Sequence, residues 1–469
     1  MPLLSLLLAL NSASIPLADT RAPDAKRPDD GASNMARAAN GAPYCGLGKA
    51  FHAGRRAELR KQLKKGWVLV RGLPDTRDYT AFRQDKVFWY LTGIETPNVA
   101  LLMNCESGEE ILFLPRPDKR NESWEGEKWD SRDAWVAELA GFTDVRENDT
   151  LVAVVKESVA REKRVWISMH PTVDISGAVD RAWPFDSAQA KDPLDGRTSR
   201  EKVLKEQLEK LGAEPKDMAG ELSELRRIKQ PEEVDALRRS CRAGAIAMME
   251  AIRSTQAGIY EGDLGALMSF VQQREGADGP GYQPITGSGP NSCVLHYSGQ
   301  HRRLGAGEMM LIDFGPELDH YVTDITRSWP VDGKFTARQL EMYEAVRASQ
   351  EAGIAVIKPG AKLRDVEKAC AEVLAARGFK NFTKHGVSHF VGLEVHDVGD
   401  FGKPLEPGVT FVVEPGLYDE ETGIGIRIED VVVVTETGCD VLTRECPRDP
   451  GEVERLMAET GVLERMGAR

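Results

Sequence analysis

Hydrophobic positions along this chain fall into three regimes. The first is one apolar block, Leu3 to Leu10, closed by the small residues Ser12, Ala13 and Ser14. The second, residues 19–43, is rich in Ala, Pro, Asp, Arg and Asn, has no period, and reads as a disordered linker. From Tyr44 onward short apolar runs alternate with amphipathic stretches. A basic amphipathic helix is predicted over 51–65, and strands over 67–71, 88–91, 99–103 and 111–115. Helices follow near 134–139 and 151–162, a strand at 165–168, and a helix of alternating charge at 200–211. Strands interleaved with helices predict an α/β domain over 44–220.

A second domain is predicted over 221–446. It opens with a helix that has Pro231 in its first turn and Glu232 and Glu233 complementing its dipole, and that stops at Gly258. Two more helices are predicted over 337–357 and 363–377. Strands are predicted at 309–313, 321–326, 410–414 and 424–434. The fold class is therefore α/β (α+β), with a smaller α/β unit in front of a larger one and a tail over 447–469.

Composition narrows the function. The chain has 469 residues, 41% hydrophobic and 29% charged, and a net charge of −13. That acidity excludes a nucleic-acid surface, which needs a basic face. Seven dispersed cysteines without a CxxC do not form a disulfide framework, and most read as small core residues, a short loop closed by Cys439 and Cys446 being the weaker alternative for that pair. The run at Leu3–Leu10 is too short to span a bilayer. With its small-residue zone it predicts a signal peptide over 1–18 and a periplasmic or secreted protein. Only Met1 and Pro2 precede the run, without a basic residue. The competing reading is a misplaced start or a disordered tail, which leaves the protein cytoplasmic.

Six of the eight histidines lie between His296 and His396, which directs the search for chemistry to the second domain. Asp313 and Asp324 end or interrupt two apolar strands that read as a hairpin, with Asp319 and His320 at the turn. An antiparallel pair brings such residues face to face. Glu414 ends the strand at 410–414. Glu429 sits inside the strand at 424–434, where Arg427 on the same face is the alternative partner. His385, His389 and His396 follow one another within 12 residues. Four converging carboxylates raise one another's pKa unless cations neutralise them. Four acids and one imidazole suit two divalent cations, and such pairs commonly carry out hydrolysis. The remaining histidines, His296 among them, are candidates for binding substrate and stabilising a tetrahedral intermediate. Between residues 44 and 220, His52 and His170 read as structural.

The motifs Asp324-Ile-Thr-Arg327, His385-Gly-Val-Ser-His389, Val395-His-Asp-Val-Gly399, Glu414-Pro-Gly-Leu-Tyr418 and Gly425-Ile-Arg-Ile-Glu429-Asp430 resemble the metallopeptidase family of Xaa-Pro aminopeptidase, prolidase and methionine aminopeptidase. The resemblance covers roughly 50–445 and includes Phe88-Trp-Tyr-Leu-Thr-Gly93, which looks like the amino-terminal domain of aminopeptidase P proteins. It implies a pita-bread catalytic domain, with Asp313 on one metal, His389 and Glu414 on the other, and Asp324 and Glu429 bridging. It further implies that hydroxide between the metals attacks the scissile carbonyl and that Glu414 shuttles the proton. His296 and His396 would contact the substrate carbonyl, and His385 and Arg427 would shape a prolyl pocket. Oxygen-rich ligation with one imidazole favours Mn²⁺, leaving Zn²⁺, Co²⁺ and Fe²⁺ open. The implied substrate is a peptide with proline in second position, and the implied assembly a dimer or tetramer. Prolidase is the runner-up. Metal-free creatinases and histone-binding relatives have lost ligands that this chain keeps.

Overall fold

The computed structural model describes residues 45–76, 80–172 and 179–467. The signal peptide and linker expected over 1–43 lie outside the described residues. No described helix is long and apolar enough to cross a membrane.

The amino-terminal part is built on a six-stranded mixed sheet. Its elements run α1 (Lys49–Leu63), β1 (Trp67–Arg71), α2 (Lys86–Thr92), β2 (Ala100–Asn104), β3 (Glu110–Leu114), α3 (Lys119–Glu125), α4 (Ala134–Ala140) and β4 (Asp144–Glu147). Then come α5 (Leu151–Arg161), β5 (Arg164–Ile167), α6 (Val179–Gln189), α7 (Arg200–Lys210) and β6 (Glu214–Asp217). The strand order is β4-β3-β2-β1-β5-β6. Val68, Val70, Leu101 and Met103 face one apolar core, while Trp67, Leu69, Ala100 and Leu102 face another. Burial on both faces explains why these strands read as continuous apolar runs.

One predicted strand is a helix. Residues 88–91 belong to α2, which Asp85 caps by accepting the Phe88 N–H at 2.8 Å and Gly93 closes with φ 71°. Every residue from Phe88 to Thr92 is buried, so the segment carries no amphipathic period and cannot be told from a strand by pattern. His52 is structural as expected: it is fully buried, with Nδ1 3.0 Å from the Tyr90 carbonyl and Nε2 accepting the Leu47 N–H at 3.0 Å. All seven cysteines are free.

The carboxy-terminal part begins with α8 (Ala219–Arg227) and the long α9 (Pro231–Ser254), and continues through α10 (Glu261–Arg274), β7 (Gly279–Pro280) and β8 (Ile285–Ser288). Next are β9 (Met309–Phe314), β10 (Pro316–Leu318), β11 (Tyr321–Val322), β12 (Ile325–Pro330), α11 (Ala337–Ala355) and α12 (Leu363–Ala376). It ends with β13 (Thr410–Val413), β14 (Gly416–Asp419), β15 (Ile424–Arg427), β16 (Asp430–Val434), β17 (Cys439–Val441), α13 (Pro450–Met457) and α14 (Val462–Arg465). Pattern reading missed α10. The tail set apart at 447–469 is ordered through α14, and it buries Val453 and Leu456 against the Ala247–Ile252 face of α9.

Two predicted strands break where the acids sit. The segment 424–434 is not one strand: β15 pairs with β14, β16 pairs with β13, and Ile428 and Glu429 lie in the gap. Glu414 and Pro415 occupy the matching gap between β13 and β14. The chain thus changes sheet twice at adjacent points, once through each glutamate.

The two parts share one hydrophobic core, in which Trp89 and Tyr90 of α2 join Tyr321, Val391, Val412 and Val431. Buried ion pairs cross the same boundary. Lys86 reaches Glu317 at 2.6 Å, and Trp89 stacks on His320 at 4.3 Å.

Candidate metal centre

β9 and β12 pair with Thr326 opposite Asp313, so Asp324 lies one residue beyond the paired segment and meets Asp313 diagonally. The expected hairpin is interrupted. β10 and β11 form their own turn, with Asp319 and His320 at φ 48° and 64°, and peel off to pair with β7. Gly315 marks the departure point: a Cβ there would lie 1.6 Å from the Thr323 carbonyl oxygen, so only glycine fits.

Four carboxylates, Asp313, Asp324, Glu414 and Glu429, meet at one cavity. The Tyr282 hydroxyl lies 2.5 Å from Asp313 Oδ1 and 2.6 Å from Asp324 Oδ1. One hydroxyl proton serves only one acceptor, so the pair needs a further positive charge or a shared proton. Tyr282 carries no periodic or motif signal, and sequence reasoning missed it. Asp324, His389 and Glu429 offer ligand atoms that all lie within 4.8 Å of one another, a grouping able to hold a metal ion. His389 Nε2 is 3.4 Å from Asp324, 3.8 Å from Glu414 and 3.9 Å from Glu429. Its Nδ1 faces the Phe390 carbonyl at 3.1 Å, which places the proton there and leaves Nε2 bare toward the acids.

Arg427 does not pair with Glu429, the alternative the period suggested. The strand break turns the two apart. Arg427 donates to Asp313 at 2.6 Å, to Tyr418 Oη at 2.9 Å and to Thr326 Oγ1 at 3.1 Å. Glu429 instead accepts from Thr326 Oγ1 at 2.6 Å. Tyr418 carries the polarity onward to His385 Nε2 at 2.7 Å, and the His385 Nδ1 meets the Gly386 carbonyl at 2.6 Å.

Burial and mutual repulsion load Glu414, Asp324 and Glu429 with protons when nothing neutralises them. Glu414 is pushed up to about 8, by burial and then by Glu429. Asp324 rises through burial and Asp313, and Glu429 through burial and Asp324. Burial, then the Arg427 charge, holds the His385 imidazole down at about 4. A donor set of four acids and one bare imidazole nitrogen, costly to bury as anions, fits divalent cations.

All nine sequence-predicted residues, Asp313, Asp324, His389, Glu414, Glu429, His296, His385, His396 and Arg427, line one cavity of about 390 Å³. The amino-terminal part, where the sequence shows no catalytic constellation, also contributes to this cavity. Arg181 of α6 also lines this cavity, with Nη2 2.8 Å from His296 Nδ1, and Asp180 lies 3.1 Å from His396 Nδ1. Neither residue stands in a motif, so the sequence carried no signal for them.

With this geometry in place, comparison with known proteins is decisive. Residues 235–436 match the model for metallopeptidase family M24, and residues 52–166 match the amino-terminal domain of aminopeptidase P. The Xaa-Pro aminopeptidase of Escherichia coli (strain K12) is 31% identical over 448 residues, covering 86% of this chain and 96% of that protein. The chain belongs to the aminopeptidase P group of metallopeptidase family M24. It is a metal-dependent hydrolase with the two-domain fold of that group, including the pita-bread catalytic domain. Human Xaa-Pro aminopeptidase 3 is 30% identical over 412 residues, covering 81% of this chain and 77% of that one. Among solved structures, proline aminopeptidase P II from Yersinia pestis superposes with a TM-score of 0.75 at 28% identity, over 87% of this chain and 99% of that one. E. coli aminopeptidase P with the inhibitor Pro-Leu gives 0.73 at 29% identity, over 87% and 98%.

Proposed function

We propose that this aminopeptidase removes the first residue from peptides with proline in second position, using two divalent cations. The observation that carries the reading is the grouping of Asp324, His389 and Glu429, both acids buried, extended by Asp313 and Glu414 and facing a cavity lined by further histidines. The relatives' names and the Pro-Leu inhibitor bound by the E. coli protein support the prolyl specificity.

Asp313, Asp324, His389, Glu414 and Glu429 would hold the cations, with Asp324 and Glu429 shared. The oxygen-rich set favours Mn²⁺. Bound there, the cations supply Lewis acidity and a water acidic enough to ionise near neutrality. The chain's own groups do the rest. Glu414 takes the proton of the attacking water and returns it to the proline nitrogen as the peptide bond breaks. His296 would face the carbonyl oxygen, where charge develops, and His396 lines the cavity beside it. The Arg427–Tyr418–His385 hydrogen-bond chain stiffens the wall that would meet the pyrrolidine ring.

The test compares an Xaa-Pro dipeptide, an Xaa-Pro-Yaa tripeptide, an Xaa-Ala-Yaa tripeptide and an N-acetylated Xaa-Pro-Yaa peptide, each with and without Mn²⁺. Metal-dependent cleavage of the unblocked Xaa-Pro-Yaa tripeptide is expected, and Asp324→Ala and Glu429→Ala should abolish it. Comparable rates on the Xaa-Ala-Yaa or acetylated peptides would contradict the specificity. Cleavage of the dipeptide alone would make the protein a prolidase.

A further inference from the structure

Helix α6 belongs to the amino-terminal part, and most of its length is exposed. Its first turn nonetheless reaches the catalytic cavity and touches two histidines far away in sequence. Arg181 Nη2 lies 2.8 Å from His296 Nδ1, and Asp180 Oδ2 lies 3.1 Å from His396 Nδ1. These partners differ in hydrogen-bonding chemistry. A guanidinium only donates, so the His296 Nδ1 that faces it must be bare, and the ring's proton sits on Nε2. An ionised carboxylate only accepts, so the His396 Nδ1 must carry the proton, and in the neutral ring Nε2 is bare. Two adjacent residues of opposite charge therefore select opposite tautomers in two imidazoles of one cavity.

We propose that Asp180 and Arg181 are positioning residues of the active site, which fix His296 as an Nε2–H donor and His396 as an Nε2 acceptor. Resting on the aminopeptidase reading above, the assignment gives the two histidines different tasks. His296 offers its N–H to the scissile carbonyl oxygen. His396 offers a lone pair to an N–H of the bound peptide. The Xaa-Pro bond itself has no N–H, so that acceptor serves a neighbouring group of the substrate rather than the bond being cut. The other imidazoles of the cavity already have their Nδ1 atoms turned to backbone carbonyls, His385 to Gly386 and His389 to Phe390. Among the described residues, His296 and His396 are the cavity imidazoles whose Nδ1 atoms hydrogen-bond to side chains, and both of those side chains come from α6.

The experiment is nitrogen-15 NMR of the full-length protein labelled at histidine, metal-free and loaded with diamagnetic Zn²⁺. His296→Gln and His396→Gln spectra assign the two rings. The wild type should show His296 protonated at Nε2 and His396 protonated at Nδ1. Arg181→Met should release the first into a mixture of tautomers, and Asp180→Ala the second. Each variant should lower kcat/KM on an Xaa-Pro-Yaa peptide by about tenfold, the scale of one charge-assisted hydrogen bond. Arg181→Lys and Asp180→Glu keep the donor and the acceptor, and should recover most of the rate and the wild-type ring signals. Unchanged His296 and His396 signals in Arg181→Met and Asp180→Ala overturn the proposal, whatever the rates do. Ring signals that shift as expected in a protein inactive on Xaa-Pro peptides would sustain the positioning and refute the substrate reading instead.

Discussion

Stripping the metal should make stability fall as pH rises, a reversal of the usual behaviour of paired carboxylates. Consider Glu414, whose carboxyl is raised from 4.5 to about 8 in the folded, metal-free site by burial and by Glu429. Between these values the folded state binds a proton that the unfolded chain has lost. Its stabilising contribution is complete below pH 4.5 and disappears as pH passes through 8. Raising the carboxyl from 4.5 to about 8 corresponds to on the order of 5 kcal/mol, at about 1.36 kcal/mol for each tenfold in proton affinity. This is an upper bound, because Asp324 and Glu429 are raised in the same direction, and a proton on Glu429 relieves the repulsion that raises Glu414. With an unfolding entropy near 2.1 cal/mol/K per residue over about 400 residues, the loss amounts to roughly 5 °C in Tm. Cations abolish it by replacing the protons, so metal affinity climbs over the same window. The assay is thermal unfolding of EDTA-treated protein from pH 5 to 8.5, with and without Mn²⁺. The Mn²⁺-dependent increment in Tm should widen by several degrees across that range. An increment that stays flat, or a metal-free Tm that rises with pH, would refute the reasoning.

Two further predictions follow from single contacts. Tyr282→Phe removes the hydroxyl between Asp313 and Asp324 and should weaken Mn²⁺ binding and kcat/KM by about tenfold, the scale of one hydrogen bond to a charged group; metal titration and steady-state kinetics check it, and unchanged values would show that the hydroxyl is idle. Gly315→Ala places a methyl group 1.6 Å from the Thr323 carbonyl oxygen and should cost more than about 3 kcal/mol, seen as loss of soluble protein or a sharply lower denaturation midpoint; a midpoint equal to wild type would mean that β9 and β12 can separate freely.

Much of the site was legible because its chemistry contradicts its surroundings. Asp313, Glu414 and Glu429 interrupt apolar runs, and an acid in such a run needs a partner. What the partner was proved harder to read. The period of two set Arg427 beside Glu429, but the backbone changes sheets between them and delivers Arg427 to Asp313. A strand break inside a segment that is apolar on both sides of it, as 424–434 is, leaves no mark in the pattern, just as full burial hid the helical character of Phe88–Leu91. Asp180, Arg181 and Tyr282 were invisible for another reason. Their roles come from the folding of distant segments onto the cavity, and no local spacing encodes that. Helix ends were easier, because Pro231 and the Glu233 carboxylate that accepts the Gln230 N–H at 2.8 Å are local signals.

The joint between the two parts limits how this protein can be taken apart. Glu317 is buried and meets Lys86 and Arg83 from across the boundary, while Arg226 and Lys229 hold Asp397 on the catalytic side. Cut free of its amino-terminal partner, the catalytic unit would keep Asp397 satisfied but leave Glu317 without its cations, and would lay bare the aromatic surface that Trp89 and Tyr90 cover. An uncompensated buried charge costs roughly 3–5 kcal/mol, a large share of a domain's whole stability. The smaller unit is therefore a structural wall of the larger one, and through α6 it also reaches the chemistry. Shortening the enzyme to its metal-binding half would remove an intact part of the catalytic body rather than an accessory.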